Sequence, residues 1–180
     1  MKLVAVLGSN RNGSVSERVA LKFIDGAKSV GYDEVVIFKI NEMNIKGCVG
    51  CGSCRKNDTD CVILDDMQKY FAELKSCDAL LVTAPNYYSQ ISGQMMTFMN
   101  RHYCFTRADR TQRLKSGIKL AGIFSQGADE EYPKYPSTYE WYMSTFTSKG
   151  MLNCGMIIIG GNSNMNQKLD EAYELGKKLA

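Results

Sequence analysis

The sequence predicts one doubly wound α/β domain over residues 1–180, and three observations carry that reading. Short apolar runs recur at strand length, segments with helical spacing lie between them, and 180 residues suit one ordinary domain better than two. The runs are Leu3 to Leu7, Val35 to Phe38, Ala79 to Ala84, Leu120 to Phe124 and Met156 to Ile159. None alternates polar with apolar residues, as a strand with one wet face would. Unbroken runs are expected where helices cover both faces of a parallel sheet.

Five helices are expected between and after the strands. Ser14-Val15-Ser16-Glu17 reads as a capping box, followed by the apolar stripe Val19, Phe23 and Ala27 and a stop at Gly31. A second helix opens near Asp65, with Tyr70, Phe71 and Leu74 inward. A third starts near Ser92 and carries Met95, Met96, Phe98 and Met99. A fourth contains Tyr139, Trp141, Tyr142 and Phe146 and ends at Gly150, and the last runs from about Met165 to Leu179.

Composition narrows the function. At 44% hydrophobic and 23% charged the chain is ordinary globular material, and a net charge of +3 is too small to imply nucleic acid. No run approaches a membrane span, and the N-terminus has only five apolar residues before Gly8, so a cytoplasmic protein with no membrane partner is expected. The single histidine, His102, excludes sites that need two or three imidazoles. Seven cysteines are an odd number and too few for a disulfide scaffold, and four of them fall within fourteen positions.

The first strand runs directly into Gly8-Ser9-Asn10-Arg11-Asn12-Gly13-Ser14-Val15-Ser16, where a helix begins. A helix N-terminus offers free N–H groups, Gly8 and Gly13 permit a tight turn and close approach, and Ser9, Ser14, Ser16 and Arg11 add donors and a charge. That equipment suits a phosphate. It matches neither the P-loop nor the dinucleotide glycine pattern.

GSNRNGSVS resembles the phosphate loop of the NADPH-dependent FMN reductase family, whose members are flavodoxin-like. Two further stretches match in order: Pro85-Asn86-Tyr87-Tyr88 after the third strand, similar to a turn that meets the flavin ring in relatives, and Ser125-Gln126-Gly127 after the fourth. The resemblance implies a five-stranded parallel sheet of order 2-1-3-4-5, with helices on both faces and these loops on one edge. The implied cofactor-binding residues are Ser9, Arg11, Gly13, Ser14, Val15, Ser16, Pro85, Asn86, Tyr87, Tyr88, Ser125, Gln126 and Gly127. The chain departs from the family pattern at Asn10, at Val15-Ser16 and at Asn100. The absent Asn side chain at Val15 removes one phosphate donor.

Cys48, Cys51, Cys54 and Cys61 spell C-x2-C-x2-C-x6-C directly after the second strand, on the edge expected for the flavin. Four thiolates can hold a [4Fe–4S] cluster or zinc, or remain bare thiols or disulfides. The compact spacing is similar to that of the iron–sulfur flavoprotein branch of the same family. Cys77, Cys104 and Cys154 read as small buried hydrophobes outside this group. Arg101, Arg107, Arg110, Arg113 and Lys115 make a basic patch that reads first as a solvated connection, with the 2′-phosphate of NADPH or an acidic redox partner as the alternatives. The aromatic stretch from Tyr132 to Tyr142 is either core or a subunit contact.

The expected activity is an FMN-dependent NAD(P)H oxidoreductase passing electrons to a small acceptor or redox protein, with a [4Fe–4S] centre as one route. No catalytic side chain is expected, because the flavin itself accepts the hydride. The resemblance also implies a homodimer or homotetramer. The competing reading is a non-enzymatic flavodoxin-like carrier, against which the positive charge and Arg11 argue.

Overall fold

Each of the five apolar runs forms a strand in the computed structural model, which describes all residues from Met1 to Ala180. The strands are β1 (Lys2–Leu7), β2 (Glu34–Lys39), β3 (Ala79–Tyr87), β5 (Lys119–Ser125) and β6 (Leu152–Ile159), with a two-residue β4 (Gln90–Ile91) between the third and fourth. The helices are α1 (Val15–Lys28), the four-residue α2 (Ser53–Lys56), α3 (Met67–Ser76), α4 (Gly93–Asn100), α5 (Pro136–Thr147) and α6 (Met165–Lys177). A 3-10 turn over Arg101–Phe105 extends α4.

The sheet order is β2-β1-β3-β5-β6, all parallel, and β4 pairs antiparallel with the end of β3. The expected five-stranded sheet is therefore corrected to six strands in the order 2-1-3-5-6. The extra strand arises because β3 continues through Pro85, Asn86 and Tyr87 and then folds back. Tyr88 and Ser89 make that turn with φ of 51° and 65°, two consecutive left-handed residues, the geometry that matches the twist of a tight hairpin. A register slip between Leu120 and Ala121 lets β6 place Asn153 and Gly155 opposite them, leaving Cys154 as the bulged residue.

Alternation along the strands splits the core in two. Leu3, Ala5 and Leu7 pack with Val19 and Phe23 of α1 and Ala172 and Leu175 of α6. Val4, Val6, Leu80 and Val82 face the other way, onto Tyr70 and Phe71 of α3, Met95 and Phe98 of α4, and Tyr142 and Phe146 of α5. Helix α1 meets α6 almost backbone to backbone: a Cβ on Gly26 would lie 2.0 Å from Tyr173 O, and one on Gly176 would lie 2.2 Å from Phe23 O. No helix is long and apolar enough to cross a membrane.

The aromatic stretch divides as its spacing allows. Tyr139 and Tyr142 are core, with Tyr142 Oη donating to Met95 O at 3.1 Å, while Trp141 remains half exposed. The solvated reading of the basic connection fails at two positions, because Arg101 and Arg113 bury their side chains. Cys77 and Cys104 are buried as expected, but Cys154 is only half-buried at its bulge.

His102 is enclosed by Tyr70, Phe71, Phe98, Phe105 and Phe146. Its Nδ1 lies 3.0 Å from Phe98 O, so this nitrogen donates, leaving Nε2 to accept from Tyr70 Oη at 2.8 Å. Burial lowers its pKa to about 4. Below the ordinary value of about 6.5 the unfolded chain takes up a proton that the folded chain refuses until about 4, so this contribution is complete above 6.5 and lost as pH falls. We expect the stability gap between the wild type and His102→Gln in urea unfolding to shrink by about 2–3 kcal/mol between pH 7 and pH 4. A gap independent of pH would refute the neutral buried imidazole.

Candidate functional site

The loops after β1, β3, β5 and β6 enclose a cleft of about 620 Å³ beyond the carboxyl ends of the strands. Eleven of the expected residues line it: Ser9, Arg11, Gly13, Ser14 and Val15 from the first loop, Pro85, Asn86 and Tyr87 from the second, and Ser125, Gln126 and Gly127 from the third. Two do not. Ser16 is buried beneath the first loop, its Oγ 3.3 Å from Ser14 Oγ, and Tyr88 projects fully into solvent at the hairpin tip. Sequence reasoning missed Asn12 and the wall after β6, made of Gly160, Gly161, Ser163 and Met165. The signal was present, since Gly160-Gly161-Asn162-Ser163 follows a strand and precedes a helix, as the first loop does.

The first loop is fixed by contacts that also decide which donors it offers. A Cβ on Gly8 would lie 2.2 Å from Thr83 O and 2.7 Å from Met95 Sδ, so Gly8 serves close packing on β3 and α4, and its N–H donates to Thr83 Oγ1 at 3.1 Å. Gly13 makes the turn, at φ 66°. Ser14 caps α1 by accepting from Glu17 N at 3.2 Å, and Glu17 Oε2 in return accepts from Gly13 N at 2.7 Å. The Gly13 amide is thereby committed to the protein. Lys39 at 3.0 Å holds the Glu17 carboxyl below its usual range, and the two charges balance each other. What remains for a ligand is the pair of first-turn amides at Val15 and Ser16, which have no acceptor within α1, and the exposed, unpaired Arg11.

The other walls contribute unequally. Asn86 Nδ2 is buried without a hydrogen-bond partner, a donor left for something in the cleft. Gln126 is already employed: its Oε1 accepts from Tyr139 Oη at 2.7 Å, its Nε2 donates to Asp129 O, and its backbone N–H donates to Ile159 O. It shapes the loop and leaves Gly127 to face the cleft. Ser163 is held in turn by Glu130, which also pairs with the buried Lys168.

A second recess is lined by Cys48, Cys51, Cys54 and Cys61, together with Arg101, Tyr103 and Cys104. It shares no lining residue with the cleft. The two sites bracket α4. Ser92, at its start, donates its N–H to Pro85 O in the cleft wall, whereas Arg101 and Cys104, beyond its end, line the recess. Eight helical residues separate them, roughly 12 Å. Cys104 lines the recess too, contrary to the sequence reading, with a thiol pushed up to about 12 by burial. Bonds from the Ser53 backbone and side chain lower the exposed Cys51 thiol, while burial raises that of Cys54. Arginines stitch the cysteine segment down: Arg55 stacks over Tyr103 at 4.1 Å and donates to Thr106 O, and Arg113 donates to Cys54 O at 2.7 Å.

The sequence profile of the NADPH-dependent FMN reductase family matches residues 1–130. The chain belongs to that family. Its relatives include an iron-sulfur flavoprotein of Archaeoglobus fulgidus, 36% identical over all of this chain and 79% of the relative, and one of Methanosarcina thermophila, 29% identical over 91% and 80%. Among solved structures, the NAD(P)H:quinone oxidoreductase of Methanothermobacter marburgensis superposes with a TM-score of 0.78 at 18% identity, covering 99% of this chain and 96% of the other, a likeness of fold. This FMN reductase family member therefore lies on the iron–sulfur flavoprotein branch, among flavin-dependent oxidoreductases.

The residues fit FMN. The amides of Val15 and Ser16 and the Arg11 guanidinium could hold a phosphate dianion, and the orphaned Asn86 amide could meet the polar edge of the ring. For a cluster, the donor chemistry fits, since four cysteines of the expected motif line one recess, but no three of them converge at ligating distance as the chain is folded here. A charge-assisted hydrogen bond is worth about 1.5–3 kcal/mol, so Arg11→Ala should weaken FMN binding by about 10- to 100-fold in a fluorescence titration. Tyr88→Ala should leave the affinity within about twofold. Equal effects from the two would show the phosphate loop to be misassigned.

Proposed function

We propose that this FMN reductase family member is an NAD(P)H oxidoreductase that draws electrons from a reduced nicotinamide through FMN and delivers them to a small acceptor or a redox protein. The supporting observation is the cleft itself: a helix N-terminus, one unpaired arginine and one buried unpartnered amide converge on about 620 Å³ at the carboxyl edge of the sheet. Bound FMN would supply a hydride acceptor at its ring and could release electrons singly. The chain's residues bind and orient. Arg11 and the α1 amides anchor the phosphate end, and Pro85, with no N–H of its own, ends the covered part of β3 where the ring edge would lie. Tyr87 and the paired loops at Gly127 and Gly160 form the walls that limit water and set the approach of a second flat molecule.

The four motif cysteines are proposed as ligands of a [4Fe–4S] cluster that passes electrons onward, with α4 as the rigid spacer between the sites. A reducing, cytoplasmic setting suits seven unpaired cysteines. The exposed Tyr88 and half-exposed Trp141 give a homo-oligomer an aromatic contact surface.

Anaerobically purified protein should carry a flavin absorption band, oxidise NAD(P)H with an artificial acceptor at a steady rate, and hold about four iron atoms per chain. Flavin without turnover would indicate an electron carrier. No flavin, and no uptake of added FMN, would sink the assignment.

Replacing any one of Cys48, Cys51, Cys54 or Cys61 by Ser should abolish or cripple the iron content, while Cys154→Ser should leave it unchanged. The check is iron and acid-labile sulfide analysis after anaerobic reconstitution. Equal loss from Cys154→Ser would rule out the motif as the ligand set.

A further inference from the structure

Arg101 begins the 3-10 turn after α4, and its guanidinium is enclosed with the carboxylate of Asp65, neither side chain retaining solvent-exposed surface. All five of its N–H groups are used. Nη1 donates to Lys46 O at 2.7 Å and to Asp65 Oδ2; Nη2 donates to Ile63 O and Asp65 Oδ1, both at 3.2 Å; Nε donates to Cys61 Sγ at 3.3 Å. Every one of these acceptors belongs to the cysteine segment. Lys46 stands two residues before its first cysteine, and Cys61 is its last. Asp65 completes the closure by accepting from Lys46 N at 2.9 Å and Met67 N at 3.0 Å.

Five cysteines line this recess, one more than a four-ligand centre takes. Cys61 and Cys104 are the two that contact Arg101, and they do so in opposite senses. Cys61 sulfur receives the guanidinium N–H. Cys104 sulfur points its own S–H at Arg101 O, at 3.3 Å, which turns it towards backbone. The guanidinium bond holds the Cys61 sulfur at the recess wall, whereas the bond to Arg101 O turns the Cys104 sulfur back onto its own helical turn.

We infer that Arg101 is a positioning residue that selects Cys61 over Cys104 as the fourth sulfur of the recess while tying the two ends of the cysteine segment together. The inference rests on the cluster reading for the identity of the bound centre, but not for the selection itself. Lysine cannot replace it, because one ammonium cannot reach Lys46 O, Ile63 O, Asp65 and Cys61 together.

The test has two arms. In the first, metal-free protein is treated with iodoacetamide at one fixed pH and the labelled cysteines are mapped by mass spectrometry. Cys61, partly exposed, should react at least about tenfold faster than the buried Cys104 in the wild type, and Arg101→Lys should reduce that ratio at least about threefold, since the fork that holds one sulfur at the recess wall and the other against backbone is lost. Asp65→Asn, which keeps the arginine but loosens its seat, should move the ratio the same way and serves if Arg101→Lys does not fold, as judged by retained FMN. In the second arm, reconstituted protein is assayed for iron and sulfide and its centre is titrated. Cys61→Ser should lose the centre, Cys104→Ser should keep it, and whatever centre forms in Arg101→Lys should have a more negative potential, because a donor to sulfur stabilises the reduced state. A merely structural Arg101 would change the iron content and leave that potential where it was. An unchanged labelling ratio in both variants, or loss of the centre from Cys104→Ser with retention in Cys61→Ser, overturns the proposal. A wild type that takes up no iron counts against the cluster reading alone, and the labelling ratio still decides the role of Arg101.

Discussion

The end of β1 lies against β3 with no side chain between them. A Cβ at Gly8 would collide with Thr83 O and Met95, and the Gly8 amide is instead bonded to the Thr83 hydroxyl. That contact brings the first loop beside Pro85-Asn86-Tyr87, although nearly eighty residues separate them in sequence. The remaining walls follow from chain direction. In a parallel sheet every crossover re-enters at the amino edge, so the loops after β5 and β6 must also emerge at the carboxyl edge beside them. The first loop needs further support because Arg11 carries an uncompensated charge. The Ser14–Glu17 cap and the Glu17–Lys39 pair hold it from below without neutralising that arginine.

The parts of this fold that are legible in the sequence are those with a period or a local chemical signature. Unbroken apolar runs report a sheet covered on both faces, and Ser14 with Glu17 reports the start of α1, because cap and stripe are properties of neighbouring residues. Strand β4 has two residues and no period to read. Arg101 is the clearer case. Within its own stretch it resembles Arg107 and Arg110, which are not deeply buried, and nothing nearby distinguishes it. Its partner Asp65 is 36 residues away and becomes a neighbour only when α3 and α4 pack on the same face of the sheet. Burial of a charge depends on that partner, and a local window cannot contain it. Ser16 and Gln126 illustrate the converse: their residue types suit a ligand, but the fold uses both side chains internally.

The distribution of arginines separates two tasks that composition merges into a small net charge. Arg11 faces the cleft unpaired, where a phosphate can use its charge. Arg101 and Arg113 turn towards the cysteine segment and Arg55 reaches out of it, and most of their bonds go to backbone carbonyls: Lys46, Ile63, Cys54 and Thr59 within the segment, and Thr106 outside it. That segment has one four-residue helix and no strand between Met43 and Asp66, so its carbonyls lack regular partners. Planar guanidinium forks answer this need better than ammonium groups, since each can satisfy several fixed acceptors at once. They also surround sulfurs that would become anionic on binding metal.

Helix α4 couples the two sites mechanically. Its Met95 lies over Gly8 beneath the phosphate loop, and Tyr142 of α5 pins that same residue by donating to Met95 O. At the other end Phe98 packs on His102 and Tyr70, and the next turn delivers Arg101 to Asp65. The helix is two turns long, buried along one side and held at both ends, so it has little freedom to shift at one site without being felt at the other. The separation between cleft and recess is therefore set by one short helix, buried along one side.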